Sequence, residues 1–127
     1  FNARKQGAVA GANMVGACKE FGGNALLNLA HYLDYDFISI GDVSACTAED
    51  EVYEYEKGEL YIRAVRGEKL KCINMIGTAQ INGIMKNFFV KSFETEDAEM
   101  DVPTRCHLLA NGIPAEFIDF IGGKTFD

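Results

Sequence analysis

The fold of this chain is decided by residues 52–76, which read VYEYEKGELYIRAVRGEKLKCINMI. The stretch contains three runs rich in β-branched and aromatic residues: 52–56, 60–66 and 70–76. Lys57-Gly58 and Gly67-Glu68 separate these runs, and short glycine-containing separators are typical of β-hairpins. The stretch therefore predicts three consecutive strands that pair as an antiparallel meander.

The central run alternates in polarity, and a helical stripe comes after the third run. Leu60, Ile62 and Ala64 share one apolar face of the central strand. Beyond Gly77-Thr78, which offers a break and a cap, apolar side chains recur three and four residues apart: Ile81, Ile84, Met85, Phe88 and Phe89. We expect the fold class α+β, with an antiparallel meander of three to five strands packed against helices and preceded by a helix rich in small residues.

The segment before the meander is less regular. Residues 35–40 predict a strand closed by Gly41, and Asp42 is expected as a turn residue or helix cap. Residues 26–35 allow either a short helix or an extended crossover, because periodicity does not separate the two over so few residues.

The C-terminal tail changes in character after Glu94. An acidic loop is predicted there, and it continues through Val102-Pro103. A short apolar helix over 115–121 should end at Gly122-Gly123. This helix is too apolar to stay free in water, so we expect it to pack on its own sheet in preference to another domain or subunit.

The N-terminal stretch predicts a helix rich in small residues: Ala3, Gln6-Gly7, Ala10-Gly11, Asn13-Met14 and Gly16. Small residues three and four positions apart leave one helix face almost without side chains, which suits close backbone packing. An interior glycine costs about 1 kcal/mol relative to alanine, so this helix needs a packing partner. We expect it to end at Gly22-Gly23.

Residues 3–16 have the pattern A-x-x-Q-G-x-x-A-G-x-N-M-x-G. This pattern resembles the last helix of the FAD-binding domain in flavoproteins like the pyridine nucleotide-disulfide oxidoreductases, the superfamily of NADH:rubredoxin reductase, NADH oxidase and the nitrite reductase large subunit. In that superfamily the helix leads into a C-terminal domain, and the order of its elements is similar to the strands and helix predicted here from Phe37 onward. The resemblance implies that 1–23 is the terminal helix of an FAD-binding domain and that 24–127 is a C-terminal interface or dimerisation-type domain.

The resemblance implies a non-catalytic module of an FAD-dependent NAD(P)H oxidoreductase. Such a module covers the flavin domain, supports the subunit interface and is inactive alone. The FAD would belong to the parent protein and none would bind this part, which lacks the G-x-G-x-x-G loop of a dinucleotide fold. Its partners would be the FAD and NAD domains of the same chain and a second copy in a homodimer. Asn2 and Ala3, at the helix start, would lie at the flavin once those domains are present.

A second function class remains open, an independent small α+β domain that binds a ligand or another protein. Its supporting feature is an aromatic set that could line a pocket or simply pack the sheet: Tyr53, Tyr55, Tyr61 and Phe93.

Charge and hydropathy exclude other classes. The formal net charge is −7 and the cations are spread thinly, which disfavours binding to nucleic acid. No apolar run approaches the roughly 20 residues that a membrane helix needs. We therefore expect no membrane insertion and a cytoplasmic protein.

The four cysteines, Cys18, Cys46, Cys72 and Cys106, form no C-x-x-C pair, so we expect free thiols that serve in packing. Cys106-His107 is adjacent in sequence, but neighbouring side chains seldom face each other as a nucleophile and base must. His31 is expected to be a structural or surface residue. We assign no catalytic residue and no metal ligand.

Overall fold

The centre of the molecule is a five-stranded antiparallel sheet. A computed structural model describes residues 2–23, 26–94 and 99–122, apart from the side chains at 93 and 94, so the predicted aromatic Phe93 lies outside the described side chains. The strands are β1 (Leu27–Tyr32), β2 (Tyr35–Gly41), β3 (Glu51–Lys57), β4 (Leu60–Arg66) and β5 (Leu70–Ile76), in the order β1-β2-β5-β4-β3. The predicted meander of β3, β4 and β5 is confirmed, and the β1–β2 hairpin extends it through β2.

The helices of the described segments are α1 (Asn2–Met14), α2 (Asn82–Glu94), α3 (Val102–Ala110) and α4 (Ala115–Gly122). One-turn 3-10 segments, Val43–Ala45 and Ala79–Ile81, precede β3 and α2. The α+β class, with helices against an antiparallel sheet and a small-residue helix before it, is confirmed.

The core lies between one face of the sheet and helices α2, α3 and α4. Ile62 and Ile38 both stand opposite Met75, so these three side chains share the helix-facing side. The predicted α2 stripe packs on them, since Met85 and Phe89 are fully buried. Three side chains of α4 are buried in the same core, which confirms that this helix packs on its own sheet: Phe117, Ile118 and Ile121.

Arg66 of β4 fixes the end of α4. Its Nη1 donates to the carbonyl oxygens of Phe120 (3.0 Å) and Ile121 (3.1 Å). The last carbonyls of a helix have no intrahelical donor, so this side chain satisfies two of them and ties α4 to the sheet.

The first helix ends earlier than expected. It stops at Met14, and Gly16 has φ of +89°. The Gly16 N–H donates to Asn13 O and the Ala17 N–H to Ala12 O, each at 3.0 Å, which is the Schellman arrangement that ends helices at a left-handed glycine. The expected end at Gly22-Gly23 is therefore wrong.

Two further segments differ from expectation or resolve an open choice. Residues 27–32 of the ambiguous segment form a strand that pairs with β2 from Leu27 opposite Ile40 to Tyr32 opposite Tyr35. Val102-Pro103 begins helix α3 and does not continue the loop, because the Asp101 side chain accepts from the Thr104 N–H at 2.8 Å and Pro suits a first turn.

Candidate functional site

The glycine-bearing face of helix α1 is open. None of its residues is buried, and a Cβ built on Gly7 or Gly11 would meet nothing within 4 Å. The apolar side chains of Met14 and Val15 are 88% and 84% exposed. The close approach that the glycines permit is therefore not used by the residues that the structure describes.

The predicted flavin-contact residues open this helix. Asn2 is half-buried and Ala3 is exposed, and the first turn of a helix carries amides without intrahelical acceptors. Neither residue lines the described cleft of about 340 Å³, which lies at the sheet. Two residues at one helix end do not enclose a flavin, so by themselves they are not a complete flavin site.

A cleft of about 340 Å³ lies at the turn end of the sheet, between the β1–β2 turn, the β3–β4 turn and the connections β5–α2 and α3–α4. Asp34, Asp36 and Glu59 make its lining acidic. Thr78 is 5% exposed, and its Oγ1 donates to Asn82 Oδ1 at 2.7 Å. The cleft reaches the size range of small-molecule sites, but its buried hydroxyl already has a partner.

His31 lies near this cleft. Its Nδ1 is 2.9 Å from Asp36 Oδ1, and its side chain is 67% exposed. The expectation that His31 is a surface residue is confirmed.

The predicted aromatic set does not line one pocket. Tyr53 packs on α4, with ring centroids 5.6 Å from Phe117 and 5.7 Å from Phe120. Burial, followed by the charge of Glu116, raises the pKa of Tyr53. Tyr55 also packs on the core.

Tyr61 lies on the opposite side of the sheet from these two tyrosines. Its hydroxyl donates to Glu54 Oε1 at 2.6 Å, which raises the pKa of Tyr61. Of the described members of the aromatic set, two therefore pack the core and the third lies on the outer face, defined as the sheet face away from α2 and α4.

The cysteines fall into two groups. Cys18 and Cys106 are exposed, so the expectation that they serve in packing is wrong for both. Cys72 of β5 is fully buried, and its Sγ lies 3.6 Å from Sγ of half-buried Cys46. Burial, followed by the hydrogen bond with Cys46, raises the pKa of Cys72 to about 11. Sequence reasoning missed this pair because 26 positions separate the two residues.

The segment that carries Cys46 is tied down on both sides. Asp42 caps the 3-10 turn by accepting from the Ser44 N–H at 2.9 Å, which confirms its predicted capping role. Lys71, next to Cys72, donates from Nζ to Ala45 O at 3.1 Å and to Asp50 Oδ2 at 2.7 Å. Residues 42–50, which we call the capping turn, therefore lie against the start of β5.

Cys106 and His107 are both exposed on α3, where the described contacts of His107 are those of its backbone carbonyl with Asn111. Within 2–23, 26–94 and 99–122 there is no group of three or more His, Cys, Asp or Glu side chains that could hold a metal ion. The longest helices in these segments have 13 residues, and none meets the length and hydrophobicity of a membrane span. Comparisons with protein-family models, curated proteins and solved structures found no match.

Proposed function

We propose that this chain is the non-catalytic C-terminal module of an FAD-dependent NAD(P)H oxidoreductase, covering the flavin domain and supporting the subunit interface. The observation that carries the proposal is the glycine-bearing face of α1, where a Cβ at Gly7 or Gly11 would meet nothing within 4 Å, whereas the helix-facing side of the sheet is already filled by α2, α3 and α4.

The state of α1 supports a partner outside the described segments. Isolated helices of this length are marginal in water, and most helices in proteins are stabilised by packing. Gly7 and Gly11 lower the helix propensity further, so their presence makes sense where another backbone must approach closely. In the proposal that backbone belongs to the preceding FAD domain.

The outer face of the sheet supports an interface role. Ile76 stands opposite both Phe37 and Tyr61, and all three side chains are half-buried. Aromatic and apolar side chains grouped in this way are typical of the centre of protein interfaces. The proposed partner at this face is a second copy of the chain.

In this role the chain would take only a limited part in the chemistry. FAD, when bound in the parent, supplies the hydride and electron transfer. The α1 start at Asn2 and Ala3 would place helix-end amides near the flavin, where they favour negative charge. We place the parent in the cytoplasm, where thiols such as the exposed Cys18 and Cys106 stay reduced.

The test uses the reading frame that contains residue 1. We expect it to encode a G-x-G-x-x-G loop upstream and to yield a protein with flavin absorbance and NAD(P)H oxidation, whereas residues 1–127 alone show neither. A protein that starts beside Phe1 and binds no flavin would overturn the proposal.

That negative result would favour the second candidate, an independent ligand-binding domain. The cleft of about 340 Å³ at the turn end of the sheet is the observation in its favour. A screen of small amines against the acidic cleft, followed by amide NMR shifts, would test it. Shifts confined to residues around Asp36 and Thr78, and lost in Asp36→Asn, are the expected result for this candidate, and no shifts would exclude amine binding there.

A further inference from the structure

We propose that Cys46 and Cys72 are an oxidisable pair that closes to a disulfide when the chain meets a hydroperoxide. Their Sγ atoms are 3.6 Å apart, and a disulfide needs about 2.0 Å. The two atoms must therefore approach by about 1.5 Å, which a side-chain rotation and a small shift of a turn can provide.

The fold supplies one fixed sulfur and one adaptable sulfur. Cys72 lies inside β5, with Val65 of β4 on one side and Gly41 of β2 on the other. Cys46 ends the 3-10 segment, and its N–H donates to Val43 O at 3.2 Å. Approach therefore requires movement of the capping turn and none of the sheet.

Contacts that do not involve sulfur hold the two cysteines close to each other. Lys71 holds Ala45, the residue before Cys46, and also holds Asp50 at the end of the capping turn. The Asp50 side chain in this ion pair is only 6% exposed. Both of these contacts come from Lys71, the residue next to Cys72, and they hold Cys46 over Cys72. The fold itself therefore keeps the two sulfur atoms close together on the outer face.

The two thiols have different access and so different parts in the reaction. Cys46 is half-buried and meets the oxidant first, whereas Cys72 is fully buried. The Cys46 thiol gives up its proton, and its sulfur attacks the terminal oxygen of the hydroperoxide. The O–O bond breaks, Cys46 becomes a sulfenic acid, and the leaving alkoxide or hydroxide takes up the proton and departs as an alcohol or water. The Cys72 sulfur then attacks Sγ of Cys46, the S–O bond breaks, and the hydroxyl leaves with the Cys72 proton as water.

Disulfide formation would fasten the capping turn to the outer face of the sheet. The turn and β5 are held together by hydrogen bonds and one ion pair in the reduced chain, and a covalent link would replace their reversible opening. Whether the capping turn is covalently fixed to the outer face would then depend on the hydroperoxide concentration. This holds whether or not the chain belongs to a flavoprotein.

The test uses the 127-residue chain with Cys18→Ser and Cys106→Ser, so that only the pair can react. After treatment with hydrogen peroxide under native conditions, mass spectrometry should show the loss of two hydrogens and a peptide that links Cys46 to Cys72. The thermal unfolding midpoint should rise by about 5–10 °C and return after reduction.

Two single variants in the same background separate the steps. Cys46→Ser should lose no hydrogens and keep the unfolding midpoint of the untreated chain. Cys72→Ala, which removes the buried thiol without adding a buried hydroxyl, should give a Cys46 sulfenic acid that dimedone traps. Oxidation of Cys46 to sulfinic acid without a linked peptide in the chain that retains both cysteines, or a linked peptide that forms only after denaturation, would overturn the proposal.

Discussion

Gly41 shows how one residue without a side chain shapes the edge of the core. It ends β2 with φ of +94°, a conformation that other residues rarely adopt. A Cβ there would overlap the Lys71 carbonyl oxygen and would lie 2.7 Å from Cζ of Phe89 and 2.9 Å from Cα of Cys72. Sequence reasoning placed Gly41 at the strand end, but the close packing around it involves residues far away in the chain.

We expect Gly41→Ala to lower the free energy of unfolding by about 3 kcal/mol, because it adds both backbone strain and an overlap in the core. Urea unfolding followed by circular dichroism measures this change. Gly22→Ala is the matched control, since a Cβ at Gly22 meets nothing within 4 Å. Equal stability of the two variants would contradict the account of Gly41.

Three carboxylates that accept local hydrogen bonds should make the stability of the fold depend on pH. The Ser44 hydroxyl and N–H lower the pKa of Asp42, Lys71 followed by the Thr47 N–H lowers that of Asp50, and the Thr104 N–H lowers that of Asp101. A carboxylate whose pKa is lower in the folded state contributes stability that is present above its unfolded pKa and lost as pH falls through its folded pKa.

The unfolding midpoint should therefore be level above about pH 5 and fall as the pH drops through about 4 and below. Asp50→Asn should flatten this fall, because it removes one of the three titrating groups. Thermal scans from neutral to acidic pH compare the two chains. An unchanged slope in Asp50→Asn would show that the ion pair with Lys71 does not contribute to acid sensitivity.

At the scale of elements, a helix with many apolar residues was predictable from the sequence, and a helix that buries few residues was not. Helix α4 was predictable because its apolar residues are dense and a glycine pair comes after them. Helix α3 was missed because it buries only Leu108, while Val102 and Leu109 stay 71% and 41% exposed. Its best signal was Asp101 and then Pro103, a cap and a proline in the first turn.

Helix α1 gives the sharpest test at this scale. Gly7→Ala combined with Gly11→Ala should stabilise helix α1 in the isolated chain by about 0.5–1 kcal/mol for each glycine, because a Cβ at either site meets nothing within 4 Å. The helix content of the isolated chain should rise as a result. Far-ultraviolet circular dichroism measures this effect. In the protein from the whole reading frame, the same pair should weaken flavin retention, because the added methyl groups separate α1 from its proposed partner.

The control for this test is Ala12→Ser, a mild change on the same helix that adds no methyl group at a glycine. It should leave flavin retention near that of the unaltered protein. If Gly7→Ala combined with Gly11→Ala stabilises the protein from the whole reading frame as it does the isolated chain, α1 has no close partner in that protein. Close packing would then not explain the two glycines.

At the scale of the whole molecule, the outer face of the sheet should determine the oligomeric state. We expect the chain to form a dimer at high concentration through Phe37, Tyr61 and Ile76, because these side chains form an apolar row across three strands at one end of that face. Size-exclusion chromatography with light scattering over a range of concentrations measures the mass.

Phe37→Ser should shift the chain to monomer, because it removes the aromatic side chain next to Ile76. Leu109→Ser is the control and should leave the mass unchanged, because Leu109 is a 41% exposed apolar residue on α3, at the helix-covered side of the sheet. A monomer at every concentration would remove the support that this face lends to an interface role.

The sequence by itself determined the local elements whose patterns are complete within a few residues. The three strands of 52–76, the buried stripe of α2 and the apolar α4 result from side-chain periodicity and from glycine at the turns. Only the tertiary structure decided the features that join distant positions. It inserted the β1–β2 hairpin beside β5, placed Cys46 over Cys72, and divided the tyrosines between two faces. Periodicity acts within a segment, whereas strand order and side-chain pairing depend on the contacts that bury the most apolar surface across the whole chain.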